Sequence, residues 1–97
     1  MVGNPGFLVG VMEREFIVEI VIESKPVLKD PEGSVIANDL MRKHGFEMVQ
    51  GVRTAKLLRV RLKAANEQKA VQIADKMVKD LRLANPVAQV YTIAVKK

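Results

Sequence analysis

The chain has 97 residues, no Cys, one His and a formal net charge of +5, and 48% of its residues are hydrophobic against 28% charged. This length corresponds to one domain that buries only about two thirds of the surface its unfolded form exposes, so association with a partner would add useful stability. The composition excludes a disulfide framework, a thiolate nucleophile and a multi-histidine metal site, and it is compatible with a reducing cytoplasm.

The N-terminal segment 1–14 is predicted to be a flexible lead-in, because three Gly and one Pro fall in its first eleven residues. It lacks the features of a secretory signal, and its apolar run is too short to span a bilayer. A single domain is predicted over residues 15–97. Its first strand covers residues 16–23, where apolar residues alternate with Glu.

A helix is predicted over residues 31–44. Asp30 is a suitable N-cap, Pro31 suits the first turn, and Gly45 suits the left-handed position that follows a helix. The apolar residues expected to be buried by this helix are Val35, Ile36 and Leu40.

The segment 49–62 is long for one strand, and we predict two strands with a tight reversal near Thr54, Ala55 and Lys56; a bent continuous ribbon is the alternative. Asn66 precedes a second helix over residues 67–83, in which apolar residues recur at helical spacing. Asn85 and Pro86 end that helix, and a last strand is predicted over residues 87–95.

The predicted order β-α-β-β-α-β indicates a ferredoxin-like α+β sandwich, with a four-stranded antiparallel sheet and both helices on one face. The first and third strands are then neighbours, and Glu15, Glu19 and Glu23 lie beside Arg59, Arg61 and Lys63. The open face of this sheet also carries apolar residues, so we expect a partner to cover it, most simply a second copy of the chain.

The candidate contact residues are those that local structure leaves unexplained. Gly33 is unfavourable in a first helical turn, and either close approach of a partner backbone or simple tolerance accounts for it. Arg53 and Lys56 lie outside the alternating basic stripe, so we predict contacts with a partner for both.

Other chemistry receives little support from the sequence. His44 is expected to cap the end of the first helix, and the serines have no base and orienting group with which to form a nucleophilic set. RNA binding on this topology uses aromatic residues on the open face of the central strands, and that face carries none here. We therefore predict no catalytic residue, no cofactor, no metal, no nucleic acid and no membrane association.

The segments 27–33, 49–56 and 83–86, taken together, resemble PurS, the small-subunit family of phosphoribosylformylglycinamidine synthase, and the resemblance extends over residues 15–95. The residues that carry the resemblance are Asp30, Pro31, Gly33, Val52, Arg53, Lys56, Asn85, Pro86 and Tyr91. One departure is Ala55, since the family usually has Gly before the lysine that corresponds to Lys56. If that position required a positive φ, Ala would strain the turn.

The resemblance implies a non-catalytic subunit that acts in purine synthesis, in the cytoplasm, as a homodimer or homotetramer. It would bridge a large subunit, which uses ATP and magnesium to activate the formamide, and a glutaminase subunit that supplies ammonia. The alternative is an amino-acid-binding regulatory domain of the ACT type, which has the same β-α-β-β-α-β order.

Overall fold

The computed structural model describes residues 13–96, so most of the predicted lead-in 1–14 lies outside the described residues. The described chain is an α+β fold with two helices and one antiparallel sheet. The strands are β1 (Arg14–Ser24), β2 (Ala55–Ala64) and β3 (Gln89–Lys96). Helix α2 spans Glu67–Asp80, and α1 runs as an α-helix over Pro31–Val35, a π-helix over Ile36–Met41 and a 3₁₀ turn over Arg42–His44.

The sheet has the order β2-β1-β3, with β1 paired antiparallel to both neighbours. The register places Glu19 opposite Arg59, and Arg59 Nε lies 2.9 Å from a Glu19 carboxylate oxygen. A second, longer pair joins Arg61 to Glu15 at 3.8 Å. The predicted adjacency of the acidic first strand and the basic strand is therefore confirmed, and part of the basic stripe is neutralised by cross-strand ion pairs.

The core lies between one face of the sheet and α2. Val18 and Ile20 of β1 are fully buried, because their phase of the strand points toward the helix. Two alanines on the buried face of α2 allow the helix to approach the sheet closely, and Val78 packs on the same face. The buried residues of α2 are Ala70, Ala74 and Val78.

The predicted helix starts are confirmed by their hydrogen bonds. The Asn66 side chain accepts the Lys69 amide at 2.8 Å, and the Asp30 side chain accepts the Gly33 amide at 3.0 Å. Gly45 follows α1 with φ of 105°, which is the left-handed conformation expected after a helix. Helix α2 ends at Asp80, three residues before the predicted end, and Arg82 takes a positive φ of 52°.

The segment before β2 differs from its prediction. The reversal near residues 54–56 is absent, and β2 is one continuous strand that begins at Ala55. Within residues 13–96 the sheet thus has three strands instead of the four predicted. Ala55 has no positive φ, so its replacement of the family's usual Gly brings no backbone strain. The predicted reversal is absent because residues 49–54 pack against α1 and do not form a strand that must turn back into β2.

Helix α1 was predicted to lie on the sheet, and this prediction is wrong. Within the described residues, α1 contacts neither the strands nor α2. Two of its apolar residues predicted to be buried are largely exposed: Val35 at 54% and Leu40 at 58%. The described chain is accordingly elongated, with principal extents of 67 × 29 × 14 Å. None of the helices in this part of the chain is long and apolar enough to cross a membrane.

Candidate functional site

The predicted contact residues lie near the place where the β1–α1 connection meets the segment before β2. We call residues 24–33 together with residues 49–54 the junction. Gly33 belongs to the first turn of α1, Arg53 precedes β2, and Lys56 is the second residue of β2. Gly33 and Arg53 therefore both lie in the junction, and Lys56 lies just beyond its end at residue 54.

Asp30 connects the two halves of the junction. Its Oδ1 accepts the Gly33 amide, and its Oδ2 accepts both the Thr54 amide at 2.5 Å and the Thr54 hydroxyl at 2.8 Å. The Thr54 amide, then the Gly33 amide and the Thr54 hydroxyl lower the pKa of the carboxyl group to about 2, while partial burial opposes this shift. The sequence predicted the helix cap, but no sequence signal pointed to Thr54.

Gly33 is required by the close approach of its own chain. A Cβ atom placed on Gly33 would lie 2.1 Å from the carbonyl oxygen of Val52 and 2.9 Å from its carbonyl carbon. Both distances are below any that real Cβ atoms adopt, so only Gly allows α1 and residues 49–54 to pack backbone against backbone. The neighbour that explains Gly33 belongs to the same chain.

Arg53 holds the connection between β1 and α1. Its Nη1 donates to the carbonyl of Leu28 at 2.7 Å, and its Nη2 donates to the carbonyls of Lys25 at 3.1 Å and Ser24 at 3.4 Å. A planar guanidinium is suited to this task, because its donors point in several fixed directions. Much of the hydrogen-bonding capacity of Arg53 is therefore used within the chain, although its side chain is still exposed.

Arg42 supports the junction from the far end of α1, and sequence reasoning did not identify it. Its Nε donates to the carbonyl of Val49 at 2.7 Å, and its Nη1 hydrogen bonds to the Asn38 side chain. A groove of about 770 Å³ lies between α1 and the junction, and Arg42 and Arg53 both border it. Arginines thus hold both ends of the segment that runs beside α1.

Lys56 is the predicted contact residue that the structure leaves available. It is exposed, its Cα lies opposite Ile22 of β1, and it borders a polar groove of about 470 Å³ with Glu23 and Glu32. Its ammonium group makes no hydrogen bond or ion pair with another residue in the described range 13–96. An outside partner could therefore reach its charge directly.

A second polar cluster joins α2 to β3. The Tyr91 hydroxyl donates to Asp75 Oδ1 at 2.5 Å, and Lys79 Nζ lies 2.9 Å from Asp75 Oδ2. The hydrogen bond from Tyr91 and that from Lys79 lower the pKa of the Asp75 carboxyl group, and the bond to Asp75 raises the pKa of Tyr91. Tyr91 therefore anchors the last strand to the helix through an ionised carboxylate.

His44 is placed to cap the end of α1. His44 Nδ1 lies 2.7 Å from the carbonyl oxygen of Leu40, which matches the predicted role at the end of α1. Between residues 13 and 96, no group of three or more His, Cys, Asp or Glu side chains is arranged to hold a metal ion.

Comparison with known proteins gives a consistent picture over most of the chain. The family model "PurS: Phosphoribosylformylglycinamidine (FGAM) synthase" matches residues 17–97. The chain is 38% identical over 77 residues to the phosphoribosylformylglycinamidine synthase subunit PurS of Archaeoglobus fulgidus, covering 79% of this chain and 94% of that protein. It is 36% identical over 78 residues to the corresponding subunit of Methanocaldococcus jannaschii, covering 80% and 92%.

Solved structures agree with these sequence matches. The purS subunit from Thermotoga maritima superposes with a TM-score of 0.77 at 27% identity, covering 87% of this chain and 94% of that one. M. jannaschii PurS gives a TM-score of 0.72 at 33% identity, covering 84% and 96%. A chain of the T. maritima PurLQS structure gives 0.75 at 26% identity, covering 86% and 99%.

Proposed function

The chain belongs to PurS, the family of small subunits of phosphoribosylformylglycinamidine (FGAM) synthase, and on this basis we propose that it bridges the ATP-dependent synthetase subunit and the glutaminase subunit. It is thus a non-catalytic subunit of a ligase of purine synthesis. In the bridged complex, ammonia released from glutamine passes to the synthetase without escaping to water. The observation that carries the proposal is the family match over residues 17–97, together with the similarity to a chain of a PurLQS structure.

Reconstitution of the complex tests this function. Purified synthetase and glutaminase subunits are assayed for glutamine-dependent amidation with and without this chain, and ammonium chloride replaces glutamine as a control. We expect omission of the chain to abolish the glutamine-dependent reaction and to leave the ammonium-dependent reaction intact. Unchanged glutamine-dependent activity without the chain would contradict the bridging role.

The ATP and magnesium of the reaction belong to the synthetase subunit in this scheme. The alternative function, an amino-acid-binding domain of the ACT type, has no support in the comparisons.

We place the complex in the cytoplasm because purine synthesis needs free ATP and glutamine, and we assign residues 15–97 to a single domain. Fusion to a fluorescent protein and microscopy would check the location, and limited proteolysis would check the domain limits.

We also propose that a second copy of the chain completes the predicted four-stranded, ferredoxin-like sandwich. Helix α1 lies off its own sheet, and both outer strands, β2 and β3, present an unpaired edge within the described residues. Exposed apolar residues accompany α1 and the turn after it, including Leu40 at 58% and Phe46 at 57%. A helix and an extended segment contributed by the partner would cover these surfaces and extend the sheet.

Light scattering on the isolated chain tests this arrangement. We expect a dimer or tetramer, and we expect Leu40→Ser with Phe46→Ser to shift it toward monomer. Lys69→Ser is the control, since Lys69 is exposed in the first turn of α2, a helix outside the proposed contact between copies. A monomeric native chain at high micromolar concentration would contradict the proposal.

Lys56 is our first choice for a contact with the larger partner subunits, with Arg53 and Gly33 shaping the surface around it. We expect Lys56→Glu to weaken complex formation on a sizing column while the unfolding temperature stays close to that of the native chain. Lys69→Glu, at an exposed position in the first turn of α2, is the control for a charge reversal elsewhere. Complex formation unaffected by Lys56→Glu would remove this residue from the interface.

A further inference from the structure

A cavity of about 550 Å³ lies between the end of α2 and the start of β3, on the side of the molecule that carries Tyr91. Three cationic side chains border it, those of Lys25, Lys79 and Arg82, and no acidic side chain does. This volume is in the range of small-molecule sites, which are about 300–1,000 Å³. The bridging function described above uses none of these residues.

Arg82 occupies a position where Arg is unfavourable for the backbone. The amide of Leu83 donates to the carbonyl of Val78 at 3.0 Å, which is the long hydrogen bond of a Schellman motif at the end of α2. Arg82 is the left-handed residue of this motif, with φ of 52°, and it is the only residue other than Gly with positive φ in the described chain. Gly is the usual residue there because it lacks Cβ, so this cation is present at a conformational cost.

Most of the positive charge in the cavity is uncompensated. Lys79 is paired with Asp75, but the side chains of Lys25 and Arg82 make no hydrogen bond or ion pair with any other described residue. The Gln89 side chain accepts the Asn85 amide through Oε1 at 2.8 Å, and its amide nitrogen is left as a further donor. These groups together offer donors and positive charge to an oxyanion.

The rest of the lining is apolar. Val78 and Ala84 are buried beside the cavity, and Pro86 and Val90 complete a wall without charge. A bare inorganic anion would leave this wall in contact with water. A ligand that joins an anionic group to an organic body would satisfy both parts of the cavity.

We propose that this cavity binds a phosphomonoester of a small organic molecule, with the phosphate held by Lys25 and Arg82 and the organic part against Val78, Ala84 and Pro86. Guanidinium and ammonium groups are the usual partners of phosphate oxygens. The cavity shares only Lys25 with the junction, and the bridging function does not use the Lys25 side chain, so occupancy of the cavity neither requires nor follows from that function.

Calorimetry on the full chain tests the site with three probes: inorganic phosphate, adenosine monophosphate and adenosine. We expect adenosine monophosphate to bind with a dissociation constant of about 1 mM or tighter. Phosphate should bind more weakly, and adenosine should give no measurable heat. An acidic peptide such as hexaglutamate serves as the competing probe for a protein partner.

Arg82→Gly is the decisive variant, because Gly suits a φ of 52° and the fold should be preserved or stabilised. We expect it to weaken binding of adenosine monophosphate by about tenfold or more, which corresponds to the loss of charge-assisted hydrogen bonds. Lys25→Gln should have a similar effect. Arg61→Gln, which removes an exposed charge of β2 outside the cavity, should leave the affinity within about twofold of the native value.

Several results would overturn the proposal. They are the absence of binding by the native chain, equal affinities for phosphate and adenosine monophosphate, and equal losses in the Arg82 and Arg61 variants. Binding of hexaglutamate in the absence of binding of adenosine monophosphate would also overturn it, and would assign the cavity to an acidic segment of a protein partner.

Discussion

Replacement of Gly33 by Ala tests the backbone packing of the junction. The added Cβ would lie 2.1 Å from the Val52 carbonyl oxygen, and even a tight contact needs about 3.0 Å, so residues 49–54 must move by roughly 1 Å. Overpacking of this kind typically costs about 1–3 kcal/mol, while Ala in place of Gly within a helix returns at most about 1 kcal/mol. We expect a net loss of about 1–2 kcal/mol in the free energy of unfolding.

For a domain of this size, such a loss lowers the unfolding temperature by about 5–15 °C. Thermal unfolding followed by circular dichroism measures it, with every variant at the same concentration because the chain is expected to self-associate. Gly51→Ala is the matched control, since a Cβ on Gly51 meets no atom within 4 Å. A Gly33→Ala variant as stable as the native chain would refute the reasoning, because it would show that Val52 can yield at no cost.

The other predictions concern the two hydrogen-bonded carboxylates. Asp30→Asn removes an acid whose pKa is lowered from 3.8 to about 2 in the folded chain. The stabilisation from its ionised form is complete above pH 3.8 and is lost as the pH falls toward 2, so we expect the variant to show a flatter fall in unfolding temperature over this window. An unchanged acid profile would mean that Thr54 and Gly33 do not hold the carboxylate. Tyr91 is the chain's only Tyr, so its ionisation can be followed alone by ultraviolet absorbance. We expect its pKa to lie above 10.0 and to fall toward 10.0 in Asp75→Asn, and a pKa unaffected by that change would contradict the observed hydrogen bond.

Much of the fold could be predicted from local sequence patterns. Alternation in residues 16–23 gave β1 and its buried face, because a strand with one covered side must repeat every two residues. Asp30, Gly45 and Asn66 marked helix ends correctly, because capping depends on the backbone groups of the nearest turn. Strand alternation and helix capping both depend on residues close together in the sequence, so the sequence alone is enough to predict them.

The course of residues 49–54 could not be predicted in the same way. Its path depends on Asp30 and Gly33, which lie far from it in the sequence, and on Arg42, which precedes it by only seven residues; all three contact its backbone atoms. Every residue has the same backbone carbonyl, so the residue types in this segment do not indicate which side chains bind to its backbone. Without those contacts, the length of the segment 49–62 suggested two strands.

The predicted contact residues show the same limit. Gly33 and Arg53 were singled out because local structure left them unexplained, and each has a contact within the chain. Their contact with a partner stays a prediction. Lys56 alone among them remains without a partner in the described residues. Unusual residues in a sequence thus indicate that a contact exists, and coordinates are needed to say on which side of the molecular surface it lies.

The central position of β1 has a consequence for synthesis on the ribosome. It is the first described strand to emerge, yet both of its neighbours follow it, and its residues Ser24 and Ile17 pair with Gln89 and Lys96. Sheet closure therefore waits until nearly all of the described chain has left the exit tunnel, and pairings so distant in sequence form slowly. Until α2 has also left the tunnel, Val18, Ile20 and Ile22 are without cover, so a nascent chain stalled with α2 still inside would present an apolar strand to chaperones or to other nascent copies.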